Sequence, residues 1–298
     1  MNRHHDFGTD AFSLPAVAAA CGPFSTPGFL TSVAPDALLL ESEAGLMVVE
    51  ETPGSVRGAG HRDVVDYRTP LGTDVEGLLS DYAASAPPGT EFMIDSLPLA
   101  AAEAVASGLA GAGFAVEMTE TESTAVIELP GSFDDYLAGI GKKQRHELRR
   151  KRRRYEETVG TVVHEIHDGS GWAFDEFVRL HRLADGDKGG FMVPEMAAFF
   201  AALAALDGWR IDVLRVPGTD TAGACLFSFV DGDGFYLYNS SYQPSLSEVS
   251  PGMVLLGECI RQAIETSLPR FDFLKGDETY KYRLGAQARA LHEVIGRR

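Results

Sequence analysis

Near its C-terminus the chain reads Phe271-Asp272-Phe273-Leu274-Lys275-Gly276-Asp277-Glu278-Thr279-Tyr280-Lys281. Phe271 to Leu274 has the aromatic and aliphatic character of a buried strand, and Gly276 ends it. Acid, aromatic and base then follow one another at the end of a buried element, where an active-site cleft finds its ionisable groups. Asp272 ends the strand, and Glu278 and Lys281 fall i,i+3 on one helical turn. Glu278 can take a proton from an amine if burial raises its pKa, and Lys281 can hold a carboxylate or phosphate. Tyr280 and Tyr282 add two phenols to the same turn. The structural alternative is a surface Glu-Lys pair, with Asp272 capping the turn.

Upstream, Tyr236-Leu237-Tyr238-Asn239-Ser240-Ser241-Tyr242 alternates as a strand. Strict alternation puts Tyr236, Tyr238 and Ser240 on one face and Leu237, Asn239 and Ser241 on the other. Tyr238 and Asn239 are candidate substrate contacts. A polar loop leads to Ser250-Pro251-Gly252-Met253-Val254, with Ser250 suited to an N-cap and Pro251 to the first helical position. The N–H groups of Gly252, Met253 and Val254 would then face an anion.

Further back the expected order is a long helix from Phe133 to Val159, a strand at 161–167 and helices at 172–183 and 194–206. Strands at 210–216, 222–230 and 234–242 follow, then a helix over 251–266, a strand at 270–274, a short helix from Asp277 and a last strand at 288–294. The first half alternates strands at 37–40, 46–50, 91–94, 114–118 and 125–129 with helices at 75–85 and 99–109, an α/β pattern. Gly108-x-x-Gly111-x-Gly113 runs from helix into strand and is a helix stop, not a dinucleotide fingerprint. Pro130-Gly131-Ser132 breaks the chain, and Ser132 can cap a helix opening with Asp134 and Asp135. The boundary falls there, giving domains over 1–130 and 131–298.

The 298 residues, 45% hydrophobic, can build a real core and exclude a disordered chain. The net charge of -17 repels nucleic acid and anionic membranes. The basic residues are concentrated, however: Lys142 to Arg154 holds nine Lys or Arg against one Glu, a local +8. Arg145, Arg149 and Arg152 share one face of that helix. They can meet phosphate or tRNA, an anionic acceptor, or the acidic first half. Cys21, Cys225 and Cys259 are far apart, as in a reducing cytoplasmic protein. No apolar run reaches the roughly 18 residues of a membrane span. Leu14 to Cys21 loosely resembles a lipoprotein leader, but Asp6 and Asp10 precede it and the run is short, so it reads as a short N-terminal helix. His164 and His167 lie on opposite strand faces, and no metal is assigned.

Four motifs in order, Phe133-x-x-Tyr136-Leu137, Arg145-x-x-Leu148-Arg149-Arg150, Ser250-Pro251-Gly252 and the Phe271–Lys281 run, resemble the GNAT acyltransferases named after cellulose-biosynthesis CelD, relatives of the FemAB peptidyltransferases. The resemblance covers roughly residues 130 to 290. It implies a GNAT fold there, with residues 1–130 a degenerate GNAT-like copy. It also implies acyl transfer from a thioester to an amine in a ternary complex, with no covalent enzyme intermediate. Acyl-CoA is the implied donor, its pyrophosphate at Ser250, Gly252, Met253 and Val254. The acceptor is a small metabolite, amino sugar or peptide. Glu278, Tyr280 and Asp272 are the expected catalytic residues, and Lys281, Tyr238, Asn239, Arg145 and Arg149 the expected acceptor contacts. The chain departs from the usual coenzyme A loop, Gln/Arg-x-x-Gly-x-Gly/Ala. Gln243-Pro244-Ser245-Leu246-Ser247-Glu248 lacks those glycines and carries an acid. A Fem-type aminoacyl-tRNA donor, an acyl carrier thioester as donor and a non-catalytic binding protein are the alternatives.

Overall fold

The computed structural model describes residues 1–18, 21–184 and 187–298. Two compact units emerge, one from Met1–Thr124 with Ala288–Arg298, the other from Ala125–Gln287. The first contains β1 (Asn2–His4), α1 (Pro27–Val33), β2 (Leu38–Ser42), β3 (Gly45–Thr52), β4 (Ser55–Gly58), β5 (Leu71–Gly72), α2 (Val75–Ala84), β6 (Glu91–Pro98) and α3 (Leu99–Gly111). β2, β3 and β4 are antiparallel neighbours; α2 then intervenes before β6, which is parallel to β4. α2 and α3 pack closely because Gly108 has no side chain, a Cβ there falling 2.8 Å from the Glu76 carbonyl oxygen. The helix stop expected at Gly113 is in place, with φ +85°.

β7 (Ala115–Glu128) is one continuous strand where two were expected. The second unit continues with α4 (Phe133–Gly139), α5 (Lys142–Thr158), β8 (Val163–His167), α6 (Trp172–Arg182), α7 (Asp187–Phe191), α8 (Pro194–Ala204), β9 (Trp209–Arg215), β10 (Ala222–Asp231), β11 (Gly234–Tyr242), α9 (Pro251–Glu265), β12 (Arg270–Lys275) and α10 (Thr279–Arg283). β9, β10 and β11 are antiparallel, and α9 leads to β12, parallel to β11. Three antiparallel strands, a helix and a parallel strand therefore recur in both units without a sequence repeat. β13 (Gln287–Arg297) pairs with β6 and closes the first unit. The expected two-way cut at Pro130 is thus corrected. Long-range pairing, which no local signal reports, assigns the last strand to the N-terminal unit.

The single helix expected over 133–159 is two helices. Ser132 caps α4 by accepting from the Asp135 N–H, as expected. Ile140, between Gly139 and Gly141, then turns extended (ψ 150°) and buries its side chain, so α5 starts afresh from Gly141. Along both helices one inward seam forms, with Tyr136, Ile140 and Tyr155 buried in the core of the second unit and Leu148 and Val159 packed on it. α9 supplies Val254, Leu255, Leu256, Cys259, Ile260, Ala263 and Ile264 to the same core. Each large apolar side chain buried in this way contributes about 1.5–3 kcal/mol, which fixes the helix while its start stays at the cleft. The helix expected over Leu14–Cys21 is absent from residues 14–18; residues 19 and 20 lie outside the described residues.

Candidate active site

β11 and β12 are neighbours at only two paired positions, Phe235 with Phe271 and Tyr236 with Asp272. Beyond them the strands part, as the motif order predicts, and the gap opens beside the start of α9. β11 also carries a bulge. Phe227 pairs with Asn239 and Ser228 with Leu237, so Tyr238 is the extra residue. The bulge resets the alternation, which overturns the expected face assignment. Ser240, opposite Leu226, joins Tyr242 in lining a cleft with α9. Asn239 Oδ1 instead accepts from His181 Nε2 of α6 at 2.9 Å, and Ser241 Oγ donates to the Phe177 carbonyl. Tyr238 packs with Phe200, Trp209 and Phe227. Tyr238 and Asn239 are therefore placed by core contacts and line neither cleft described below.

The first cleft, about 290 Å³, is walled by Ser240 to Tyr242, by Ser250 to Met253 at the start of α9, and by Tyr280. Ser250 occupies the N-cap position in the left-handed region (φ 54°), and its hydroxyl makes no cap hydrogen bond. The Met253 and Val254 N–H groups both donate to the Ser250 carbonyl. Of the three N–H groups expected to face an anion, only that of Gly252 has no acceptor among the described residues. A Cβ built on Gly252 meets nothing within 4 Å, so the cleft is open in front of it. The acid expected to repel phosphate here, Glu248, is paired with Arg154 at 3.3 Å, which partly offsets its charge.

The second cleft, about 350 Å³, is lined by one face of α5, with Lys143, Gln144, Glu147 and Lys151, and by Arg283. It shares Met253 and Tyr280 with the first. Tyr280 thus stands where the two meet, whereas Tyr282 lines neither. Burial, helped by the nearby Glu278 charge, pushes the Tyr280 phenol up to about 12, so it keeps its proton at neutral pH.

The other expected catalytic groups are redirected. Asp272 is fully buried and lines neither cleft; its Oδ1 accepts from the Leu274 N–H at 2.7 Å and holds Leu274 at φ 58°. Glu278 is 58% exposed, so the burial needed to raise its pKa is missing. Lys281, 3% exposed, donates to the carbonyls of Lys275 (2.6 Å), Gly276 (3.2 Å) and Leu274 (3.4 Å) and reaches Glu278 Oε2 at 2.9 Å. It clamps the turn that carries Tyr280 and has no donor left for a substrate. Gly276 allows the clamp: its φ is +110°, and a Cβ would fall 2.5 Å from Glu278 Oε2. Lys281→Met should lower the free energy of unfolding in urea by about 3 kcal/mol, because buried carbonyls lose charged donors while the exposed Glu278 pair adds little. An unchanged midpoint would reassign the residue.

The basic helix is also redistributed. Arg145 donates to the Leu137 carbonyl, Arg152 pairs with Glu156 and Glu258, Arg150 with Glu147, Arg153 with Glu157 and Arg154 with Glu248. All these partners belong to the second unit, not the acidic first half. Arg149 is exposed and lines neither cleft. The cleft-lining face at 143, 147 and 151 was legible as an i,i+4,i+8 row, but the denser arginine row at 145, 149 and 152 masked it. His164, Asp212 and Cys259 bring ligand atoms within 4.8 Å of one another, a grouping that the strand faces of His164 and His167 do not reveal. Arg210 already donates to both Asp212 oxygens, which neutralises that carboxylate.

Residues 142–282 match the family model described as acetyltransferase (GNAT) domain. The second unit carries a GNAT acyltransferase domain. A search of curated proteins gave no match. Among solved structures the chain is similar to FemX, at 11% identity and TM-score 0.62 over 99% of this chain and 97% of that one. It is also similar to a conserved protein of unknown function from Bacteroides thetaiotaomicron, at 11% identity and TM-score 0.63 over 97% and 94% of the chains. L-PGS from Bacillus licheniformis matches at 11% identity and TM-score 0.58 over 90% and 85%. At these identities the likeness establishes the fold. Among the described residues no helix is long and apolar enough to cross a membrane.

Proposed function

We propose that the GNAT domain is a cytoplasmic N-acyltransferase that moves an acyl group from a coenzyme A thioester to the amine of a small metabolite, amino sugar or peptide. The observation that carries this reading is the meeting of two clefts at Tyr280, one of them opening at the start of α9. In this reading the donor pyrophosphate lies against the Gly252 N–H and the positive end of α9, and the thioester reaches Tyr280 through the first cleft. The amine enters uncharged from the second cleft and attacks the thioester carbonyl, and the C–N bond forms as the C–S bond breaks. The Tyr280 hydroxyl gives its proton to the departing thiolate and regains one from the nitrogen, leaving an amide and a free thiol. Asp272 and Lys281 keep Tyr280 in place.

Incubating the protein with acetyl-CoA and a panel of amines, with released thiol as the readout, tests the reading. Thiol release that depends on an amine is expected; no turnover together with no coenzyme A binding would leave a non-catalytic binding protein. Fold likeness to FemX over nearly the whole chain favours a second reading, aminoacyl-tRNA as donor. Most α5 arginines are already paired within their own unit, so tRNA affinity should fall with salt on a log-log slope shallower than about -3. A steeper slope would favour the tRNA donor.

A further inference from the structure

The second cleft carries more positive than negative charge. Lys143, Lys151 and Arg283 line it, and among the described residues none has a carboxylate within ion-pairing distance. Its one acid, Glu147, is committed to Arg150 through both carboxylate oxygens. Burial, against the attraction of Glu147 and with the neighbouring Arg150 and Arg283 charges, pushes the Lys151 ammonium below its usual pKa. The start of α5 adds to the imbalance: it has no side-chain cap and no acid in its first turn, and Lys142 and Lys143 stand at its positive end. In a chain of net charge -17, three like charges gathered around one concave surface hold a local positive potential that draws an anion into it.

We infer that the acceptor amine carries an anionic group, phosphate or carboxylate, which Lys143, Lys151 and Arg283 grip in the second cleft while the amine reaches Tyr280. This rests on the reading that the donor occupies the first cleft. A volume of about 350 Å³ fits a small-molecule acceptor, and the shared wall of Met253 and Tyr280 places its far end at the reacting centre. Arg283 offers a planar fork and the two lysines offer point charges, a set that suits an oxyanion with several acceptor oxygens.

Inorganic phosphate is the probe, titrated calorimetrically into the full chain and into the Lys143→Gln/Lys151→Gln/Arg283→Gln variant. The parent should bind phosphate and the variant about a hundredfold more weakly. The variant should melt no lower than the parent, since mutual repulsion is removed, so a lost site is not mistaken for a lost fold. Lys151→Gln alone, with a smaller loss in the same direction, covers the case in which the triple variant does not fold. Equal phosphate affinity in parent and variants overturns the inference. Coenzyme A should leave phosphate affinity unchanged within about twofold. If coenzyme A displaces phosphate, the anion belongs to the donor and the assignment to the acceptor is wrong. If coenzyme A does not bind at all while phosphate does, the donor reading fails and the anion site stands.

Discussion

Gly252→Asp should abolish coenzyme A binding and leave the fold intact. A Cβ at this position meets nothing within 4 Å, so the side chain enters open space rather than the core. An acid in the first turn of α9 also complements the helix dipole, so stability should hold or rise slightly. The same carboxylate stands where the donor pyrophosphate is proposed to lie. Two like charges about 4 Å apart at a protein surface repel by about 4 kcal/mol, nearly a thousandfold in affinity. Calorimetric titration with coenzyme A and thermal melting of the same sample separate the two effects. Gly252→Ala, which adds no charge, should bind almost as the parent does. Parental affinity in the Asp variant would place the pyrophosphate elsewhere.

Tyr280→Phe should cut kcat about a hundredfold and move the donor dissociation constant by no more than about twofold. The phenol is the one titratable hydroxyl shared by both clefts among the described residues, and the ring, which supplies the packing, is retained. Its pKa is pushed up to about 12, so the parent should show no fall in rate from this group until the pH approaches that value. The stability consequence has a definite sign. Because the folded pKa lies above the ordinary phenol value of about 10, the contribution is fully present below that pH and is lost as pH rises through about 12. Alkaline melts of the parent should show that loss, and the Phe variant should lack this component. A variant with parental kcat would remove Tyr280 from the chemistry.

Legibility differed sharply between neighbouring residues. The strand–turn–helix from Phe271 to Lys281 could be read because its apolar run, Gly276 and the following polar turn are local signals. Lys281 was noticed for its charge, yet its three carbonyl partners are set by the path of the turn, which alternation does not report. Tyr238 and Asn239 were misplaced by one bulged position, because a single extra residue inverts every later side chain on a strand. The break at Ile140 was missed because the two short helices keep one inward seam, and periodicity alone does not see a change of backbone between them.

By itself the sequence determined most of the elements of the second unit and their order, apart from the break at Ile140 and α7, and with them the Ser132 cap, the turn into α9 and the GNAT resemblance. Propensity, capping and hydrophobic period act over a few residues and are written in consecutive positions. Only the tertiary structure decided that β13 joins the first unit, that Tyr280 rather than Glu278 or Tyr282 stands at the junction of two clefts, and that Lys143, Lys151 and Arg283 face one of them unpaired. Whether a side chain is buried, paired or open to a ligand depends on elements far away in the chain, and their approach is settled by packing of the whole unit.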